Sequence, residues 1–262
     1  MAEMLREDLA DLAYAKVLLE NPSVAARIAN AVGTPIERVL KLLPQGASDL
    51  IGAATRKSLE TALNFAILTM DDRQQGSANW VHKTMVAVTG AAGGAFGLAA
   101  LAIELPVSTV IMLRSIADIA RGEGERIKSP EAKLACLEVF ALGGKASARG
   151  AAESGYFAVR AALAKTLSEA AEYIAERGVA REGAPPLVRF VTQVAERFGV
   201  PVSEKVAAES FPIVGAAGGA LINALFIDHF QDVARGHFIV RRLERSYDHE
   251  WVKREYLKLP AK

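Results

Sequence analysis

Apolar residues recur every three or four positions along almost the whole chain, and strict alternation of apolar and polar residues is nearly absent. The first pattern is typical of amphipathic α-helices, whereas half-buried strands need the second. Thr34-Pro35-Ile36-Glu37, Ser129-Pro130-Glu131 and Ser203-Glu204 are typical helix starts, and Gly143-Gly144 and Gly178 are typical helix ends. The sequence therefore predicts an all-α protein with roughly nine to eleven helices.

The predicted helices follow one another with short connections. They cover residues 4–20, 23–31, 35–43, 48–70, 79–103, 106–121, 130–142, 155–177, 186–198 and 203–258, the last with at least one break. The most obvious linkers, residues 71–78 and 178–186, are too short to separate domains. We therefore predict a single multi-helix bundle, in which an N-terminal helical segment, residues 1–45, forms one compact unit with residues 46–262.

Two glycine- and alanine-rich segments resemble each other, Gly90-Ala-Ala-Gly-Gly-Ala95 and Gly215-Ala-Ala-Gly-Gly-Ala220. Each is followed by a second short match, Asp118-Ile-Ala-Arg-Gly122 and Asp232-Val-Ala-Arg-Gly236. An ancient duplication would explain both matches, and so would chance in a chain rich in alanine.

Glycine in a helix interior costs about 1 kcal/mol relative to alanine, so repeated glycines need a compensating role. A spacing of four clears a flat strip along which another helix can approach closely. We therefore predict two Gly/Ala-rich central helices, with close packing at Gly90, Gly93, Gly94, Gly97, Gly215, Gly218 and Gly219.

The same segments lie within two uncharged runs, residues 84–103 and 210–227. Both approach the length of about twenty residues that spans a bilayer. Many of their residues are Ala, Gly or Thr, however, which contribute little insertion energy. Two interpretations stay open: a buried helix pair in a globular domain, or partial or full membrane insertion.

Glu104 ends the first uncharged run, directly before Leu105-Pro106. We expect the chain to bend there, and we expect the carboxylate to be paired, hydrogen-bonded or neutralised because an isolated buried charge is very costly.

The second uncharged run is followed by polar side chains at helical spacing, among them Asp228, His229 and Asp232. They could form a metal or acid–base group, or they could cap and cross-link neighbouring helices. Asp118 is expected to form structural ion pairs with Arg114 and Arg121. The candidate binding residues are Glu104, Asp118, Asn223, Asp228, His229 and Asp232.

Composition excludes several classes of function. The formal net charge of +1 and the lack of a zinc-finger or RNA-binding signature argue against nucleic acid. The single cysteine, Cys136, cannot form an internal disulfide and is expected to be a buried thiol. No motif identifies a cofactor, a metal or a catalytic nucleophile. The N-terminus is acidic and does not resemble a secretory signal, which favours the cytosol or its membrane face.

The C-terminal segment, residues 235–262, carries eight Lys or Arg against four Asp or Glu. Its apolar and aromatic residues follow helical spacing. Such a helix could lie on an anionic membrane surface, or it could dock on its own domain with a solvated charged face. The residues that would contact a membrane are Arg241, Arg242, Arg245 and Trp251.

Three stretches carry a resemblance to a known family. They are KLLPQGASDLIGAATRKSLETALNFA, VTGAAGGAFGLAALAIELPVSTVIMLRSIADIARGEGE and LINALFIDHFQDVARGHFIVRRLERSYDHEWVKREY. In this order, from about Leu42 to Tyr256, they resemble the EcsC family. The chain departs from the expected pattern at Asp248, where a glycine would follow Tyr247.

The resemblance implies an all-helical bacterial protein related to one whose operon encodes an ABC transporter involved in secretion. It implies no reaction and no catalytic residues. We therefore expect a cytoplasmic module on the inner face of the membrane that binds a lipid, an apolar peptide or an ABC transporter subunit. The alternatives are a metal- or carboxylate-dependent enzyme that uses Glu104 with Asp228, His229 and Asp232, or a structural scaffold.

Overall fold

The computed structural model describes residues 5–20, 23–33, 36–41, 43–70, 97–144, 155–177, 183–210 and 215–260. Their helices are α1 Arg6–Leu19, α2 Val24–Val32, α3 Ile36–Leu40, α4 Ala47–Thr69, α5 Gly97–Gly122, α6 Pro130–Leu142, α7 Gly155–Arg177, α8 Pro185–Glu209, α9 Gly215–Ser246 and α10 His249–Lys258. These ranges contain no strand. The prediction of an all-α bundle is therefore confirmed.

The predicted bounds of α6 and α7 agree with the structure. At the start of α6, the Ser129 hydroxyl accepts a hydrogen bond from the amide of Ala132, and Pro130 occupies the first helical turn, where its missing N–H costs nothing. Gly143 follows the last residue of the helix, as predicted. The start predicted at Thr34 and the stop predicted at Gly178 rest on residues outside the described ranges.

The predicted break after Glu104 is wrong, because α5 continues through Pro106 to Gly122. Proline removes one backbone hydrogen bond from a helix interior and costs about 3 kcal/mol. Burial of Leu101, Leu105 and Leu113 along the same helix opposes this cost, since each buried leucine contributes about 2 kcal/mol. The Thr109 hydroxyl also donates to the carbonyl of Leu105 at 2.7 Å.

The predicted break near residue 200 is also wrong. Helix α8 runs through Pro201 to Glu209, held by the fully buried Phe198 and Val202, so Ser203 lies inside the helix and not at a helix start. The C-terminal region is interrupted later, between Ser246 and His249. There Asp248 caps α10, since its carboxylate accepts from the amide of Trp251 at 3.0 Å. A capping aspartate thus stands where the sequence resemblance led us to expect glycine.

Helix α6 lies at the centre of the bundle and contacts α4, α5, α7, α8 and α9. Its residues from Ala132 to Ala141 are all buried, so this helix has no solvent face. Phe140 packs against Phe198 and Phe230 of the neighbouring helices, with ring centroids 4.9 and 5.5 Å away. Cys136 is fully buried, and burial raises the pKa of its thiol to about 12, which makes it a packing residue.

Helices α5 and α9 run side by side in the same direction. The Gln231 side-chain amide donates to the Ser115 hydroxyl at 2.9 Å, and Arg241 pairs with Glu125 further along at 2.8 Å. The matching segments that begin at Asp118 and Asp232 therefore lie at similar heights on parallel helices. Both aspartates pair with the arginine three residues later in the chain.

The N-terminal helices pack directly on the rest of the bundle. Helix α1 contacts α9 and α10, while α2 contacts α8 and α9. Lys16 is buried between α1 and α10 and donates to the backbone carbonyls of Tyr256 and Leu259, at 3.1 and 2.8 Å. It thereby satisfies orphan carbonyl groups at the C-terminus of α10. The division at residue 45 stays a prediction.

Candidate functional site

Glu104 forms an ion pair between α5 and α8. Its Oε1 lies 2.6 Å from Nζ of Lys205, which is fully buried and lies 3.5 Å from the carboxylate of Glu209 as well. The ammonium group also lies 5.5 Å from the ring centroid of Phe226. Burial raises the pKa of the Glu209 carboxyl. The expected pairing of Glu104 is therefore found, in a group of two carboxylates around one lysine.

The polar residues after the second uncharged run do not converge on one site. Asp228 is exposed, Asp232 pairs with Arg27 of α2 at 2.8 Å, and His229 points into the core. The Asn223 Oδ1 atom is buried and has no hydrogen-bond partner within the described residues. Nowhere in the described ranges do three His, Cys, Asp or Glu side chains form a group that could hold a metal. Asp228, His229 and Asp232 therefore lie in three different environments.

His229 links α9 to the end of α6. Its Nε2 lies 2.9 Å from the carbonyl oxygen of Gly143, so Nε2 carries a proton and donates. Burial lowers the pKa of this imidazole to about 4, which keeps it neutral at physiological pH. His229 therefore cross-links neighbouring helices, as the structural alternative expected.

Asp118 lies on the exposed side of α5 and pairs with Arg121. Arg114 instead lies over the ring of Phe65 on α4, 5.1 Å from its centroid. The expected ion pairing of Asp118 is found for one of the two arginines. An exposed pair of this kind contributes little to stability.

Close backbone approach occurs at glycines other than those predicted. A Cβ atom at Gly143 would overlap the Phe230 ring, and one at Gly236 would lie 2.7 Å from Leu19. At Gly219, by contrast, a Cβ would meet no described atom within 4 Å. Gly90, Gly93 and Gly94 lie outside the described residues. For Gly97, Gly215 and Gly218 the structure describes the helix but not the surroundings.

The C-terminal arginines pair with carboxylates of the same chain. Arg241 and Arg245 both bind Glu125, at 2.8 and 2.5 Å, and Arg242 pairs with Asp11 at 2.5 Å. Burial alone would raise the pKa of Glu125, but Arg241 and Arg245 lower it. Trp251 packs on Tyr247, with ring centroids 5.1 Å apart. This is the docked alternative, and whether these residues also contact a membrane stays a prediction.

A buried polar network that the sequence analysis missed connects α6, α7 and α9. The Tyr156 hydroxyl lies 3.0 Å from Nδ1 of His237, and the other ring nitrogen lies 3.7 Å from Oε2 of Glu138. Burial raises the pKa of Glu138 to about 7 and lowers that of His237 well below its usual value. Glu138 interrupts the apolar run Leu134–Leu142, and that interruption was the available signal.

Next to this network, Arg160 makes two hydrogen bonds to Glu244, at 2.7 and 2.8 Å. His249 Nδ1 contacts the same carboxylate at 2.8 Å. Tyr156, His237 and Glu138 are too deeply buried for a substrate to reach them. The network can hold or share a proton, and its evident role is to fix the relative positions of α6, α7 and α9.

A surface groove lies between α4 and α8. It consists of two adjoining cavities of about 190 and 530 Å³, which share the side chains of Arg56, Lys57, Glu60 and Thr192. Along α4 it extends from Ser48 to Asn64, about 24 Å at roughly 1.5 Å per residue. The two helices run antiparallel here, because Asn64 and Leu187 line one end and Asp49 and Glu196 the other.

The groove has an apolar end and a charged end. The smaller cavity is lined by Leu63, Leu187, Val188 and Val191 as well as by polar groups. Arg56 and Lys57 lie between the two cavities. Neither side chain forms an ion pair or hydrogen bond with another described residue, in contrast to the C-terminal arginines. Glu60 lies between the cavities as well, and Asp49 and Glu196 supply negative charge at the other end. None of these residues was a candidate from sequence.

A comparison with family models gives one match, to the EcsC protein family over residues 17–243. This chain belongs to the EcsC family. The match starts before the stretches that carry the sequence resemblance and stops ahead of Tyr256. No curated protein and no solved structure matches the chain.

Most of the features described above lie inside the EcsC segment. It contains the group around Lys205, the Tyr156–His237–Glu138 network and both walls of the α4/α8 groove. Helix α1 begins before it. Among the described helices, none combines the length and the hydropathy that crossing a bilayer requires. The uncharged run at residues 84–103 is described only from residue 97, so the question of its insertion stays open.

Proposed function

We propose that this EcsC family member is a membrane-associated binding protein that takes the headgroup of a phospholipid in the α4/α8 groove. The observation that supports this most is the combination of an apolar end with two adjacent cations that lack a protein partner in the described chain. Ligand sites are concave, largely apolar and furnished with a few polar groups that fix orientation.

The dimensions of the groove suit part of a lipid. The cavity of about 530 Å³ has room for a headgroup, while the cavity of about 190 Å³ beside Leu187 and Val191 has room for the first acyl carbons. Arg56 and Lys57 would contact the phosphate, since Arg and Lys are its usual donors. Glu60 and Asp49 line the same cavity and would balance an ammonium group on a zwitterionic headgroup.

A cytoplasmic protein with this groove would act on the inner face of the membrane, where anionic lipids attract basic side chains. The proposed membrane contact is therefore the groove and not Arg241, Arg242 and Arg245, because those arginines already pair with carboxylates. Binding is favoured over catalysis, because the proposed catalytic residues Glu104, Asp228, His229 and Asp232 do not share one site.

The test is co-sedimentation of the full chain with vesicles of phosphatidylcholine alone and with added phosphatidylglycerol or phosphatidylethanolamine. Each cation near an anionic surface contributes about 1 kcal/mol, so the double variant Arg56→Glu, Lys57→Glu, which also adds two repelled anions, should lose at least about 2 kcal/mol, roughly thirtyfold or more in affinity. The matched control is Arg126→Glu, Lys128→Glu, two exposed cations that line neither cavity of the groove. It changes the net charge equally and should bind nearly as well as the unchanged protein.

A change at the apolar end separates the groove from general surface charge. Val188 keeps 44% of its surface exposed and lines the smaller cavity, so Val188→Asp should weaken vesicle binding without unfolding the protein. The proposal is overturned if the unchanged protein does not co-sediment with any of the vesicles, or if the groove and control variants lose the same affinity for the vesicles. Capture of a protein partner without any lipid would favour the scaffold alternative.

A further inference from the structure

Helix α1 carries an apolar face that no described helix covers. One side packs on α9 and α10 through Leu12, Ala15 and Lys16, all buried. The opposite side exposes Leu9 and Val17 at 39% and 40% of their surface. Leu5 at 68% and Tyr14 at 52% flank it. Large apolar side chains therefore surround the helix, an arrangement typical of a helix that is covered on both sides.

The centre of this face is a single stripe with charges at its two ends. Arg6, Leu9, Ala13, Val17 and Glu20 follow one another at spacings of three or four residues, which places them along one line of an α-helix. Arg6 is exposed and has no ion-pair partner within the described chain. Glu20 contacts the buried Lys16 at 3.8 Å and keeps 32% of its side chain exposed, so it can accept a further hydrogen bond.

We infer that this stripe is the contact surface for a second copy of the chain, with the two α1 helices antiparallel and a twofold axis at Ala13. Along the stripe the groups are a cation, leucine, alanine, valine and an anion. An antiparallel copy of this order places opposite charges against each other at the ends and apolar side chains against each other between them. Arg6 then faces Glu20 of the other copy, Leu9 faces Val17, and the small Ala13 meets its own equivalent where the helices come closest. A twofold contact requires this self-complementarity.

The charges around α1 favour another protein surface over a membrane. Glu7 is exposed and follows Arg6 in the chain, and Glu20 ends the stripe, so these exposed groups carry one cation and two anions. Asp8 and Asp11 lie on the flank and already engage Tyr247 and Arg242. An anionic bilayer would repel this net negative edge. A second copy supplies a further cation for each Glu20, so the charge pattern points to self-association.

The contact is small, so the dimer should be weak. Helix α1 has 14 residues, about 21 Å at roughly 1.5 Å per residue. Two helices of this length bury less than the 1,200 Å² or so of a stable interface. Dimerisation should therefore be weak and depend on concentration. The inference goes beyond the proposed lipid binding and does not depend on it, since the groove lies on α4 and α8.

The first test is sedimentation velocity of the full chain across concentrations from a few micromolar to several hundred. Ala13→Glu places two like charges at the axis and should raise the dissociation constant at least tenfold. The matched control, Ala162→Glu, makes the same change at an exposed alanine of α7 and should leave self-association unchanged. Circular dichroism of both variants checks that they remain folded.

Cysteine cross-linking tests the orientation without weakening the contact. The Ala13→Cys variant should form a disulfide-linked dimer on mild oxidation, because the introduced thiols of the two copies meet at the twofold axis. The Leu9→Cys variant should not, since its two thiols are about 12 Å apart along an antiparallel pair and a disulfide needs Cα atoms within about 7 Å. The native Cys136 is fully buried and does not interfere.

Three results overturn the inference. One is a monomer at every concentration together with no cross-link in the Ala13→Cys variant. Another is cross-linking of the Leu9→Cys variant as readily as of Ala13→Cys, which would indicate a parallel pair. The third is loss of vesicle binding in Ala13→Glu with self-association unchanged, which would make the face a membrane contact. The lipid-binding proposal is judged separately by the Arg56 and Lys57 variants.

Discussion

Replacing Lys205 with methionine should destabilise the protein clearly, because the change leaves two carboxylates next to each other without their cation. The Lys205 ammonium is fully buried, 2.6 Å from Glu104 and 3.5 Å from Glu209. Methionine keeps the apolar stem and its packing against Phe226, so the loss reports the charge more than the volume.

The size of the effect follows from the exposure of the partners. Breaking a fully buried ion pair costs about 3–5 kcal/mol. Here Glu104 and Glu209 keep 21% and 27% of their side chains exposed, so water stabilises part of the remaining charge. We therefore expect a loss of about 2–3 kcal/mol. For a chain of this size that corresponds to a fall in Tm of roughly 4–12 °C.

The assay is thermal and urea unfolding followed by circular dichroism at pH 7. The control is Lys165→Met, which removes an exposed lysine of α7 whose nearest carboxylate is 4.0 Å away, and it should change stability by less than about 0.5 kcal/mol. Adding Glu104→Met to Lys205→Met should recover at least half of the loss, because one of the two unpaired carboxylates is then gone and Glu209 no longer has a like charge beside it. A Lys205→Met protein as stable as the control, or a double variant with the summed losses of both changes, would refute this reasoning.

Further predictions concern packing and pH. Gly143→Ala forces a methyl group against Phe230 and should destabilise the protein by about 1–3 kcal/mol in thermal unfolding. Gly219→Ala meets open space and should stabilise the protein by up to about 1 kcal/mol. Equal effects of the two variants would contradict the close packing of Gly143 against Phe230. Glu138 has a folded pKa raised to about 7, so the stability it confers is complete below its unfolded pKa of 4.5 and is lost as pH rises through 7. The stability of Glu138→Gln should therefore fall less between pH 5 and 8 than that of the unchanged protein. Urea midpoints of the two proteins that change in parallel with pH would contradict this prediction. The folded pKa of His229 is lowered to about 4, so the stability that it confers is complete above pH 6.5 and is lost as pH falls through 4. The His229→Gln variant keeps a donor to Gly143 and should therefore lose less stability at acidic pH, as measured by urea unfolding.

The helices could be predicted well because their signals are local. The start of α6 at Pro130 and its end at Leu142 depend on Ser129 and Gly143, which act within one helical turn. Where a local helix-breaking signal conflicted with the burial of apolar residues, burial determined the structure. Pro106 and Pro201 both lie inside helices, because the apolar faces around them are buried on neighbouring helices.

The site could be predicted only in part. Glu104 was expected to have a partner, but Lys205 follows it by 101 residues and nothing in the spacing links them. Asp228, His229 and Asp232 are neighbours in sequence, yet the helix turns each toward a different environment. Proximity along the chain was therefore a poor guide to proximity in space.

By itself, the sequence determined the helical class, most helix positions and membership of the EcsC family, since periodicity, capping and family pattern are all read along the chain. Tertiary structure alone decided which polar groups meet: the carboxylates around Lys205, the Tyr156–His237–Glu138 network and the cations of the α4/α8 groove. The physical reason is that helix formation depends on contacts three or four residues apart. The environment of a side chain depends instead on how helices far apart in sequence pack, and that arrangement sets its charge, burial and partners.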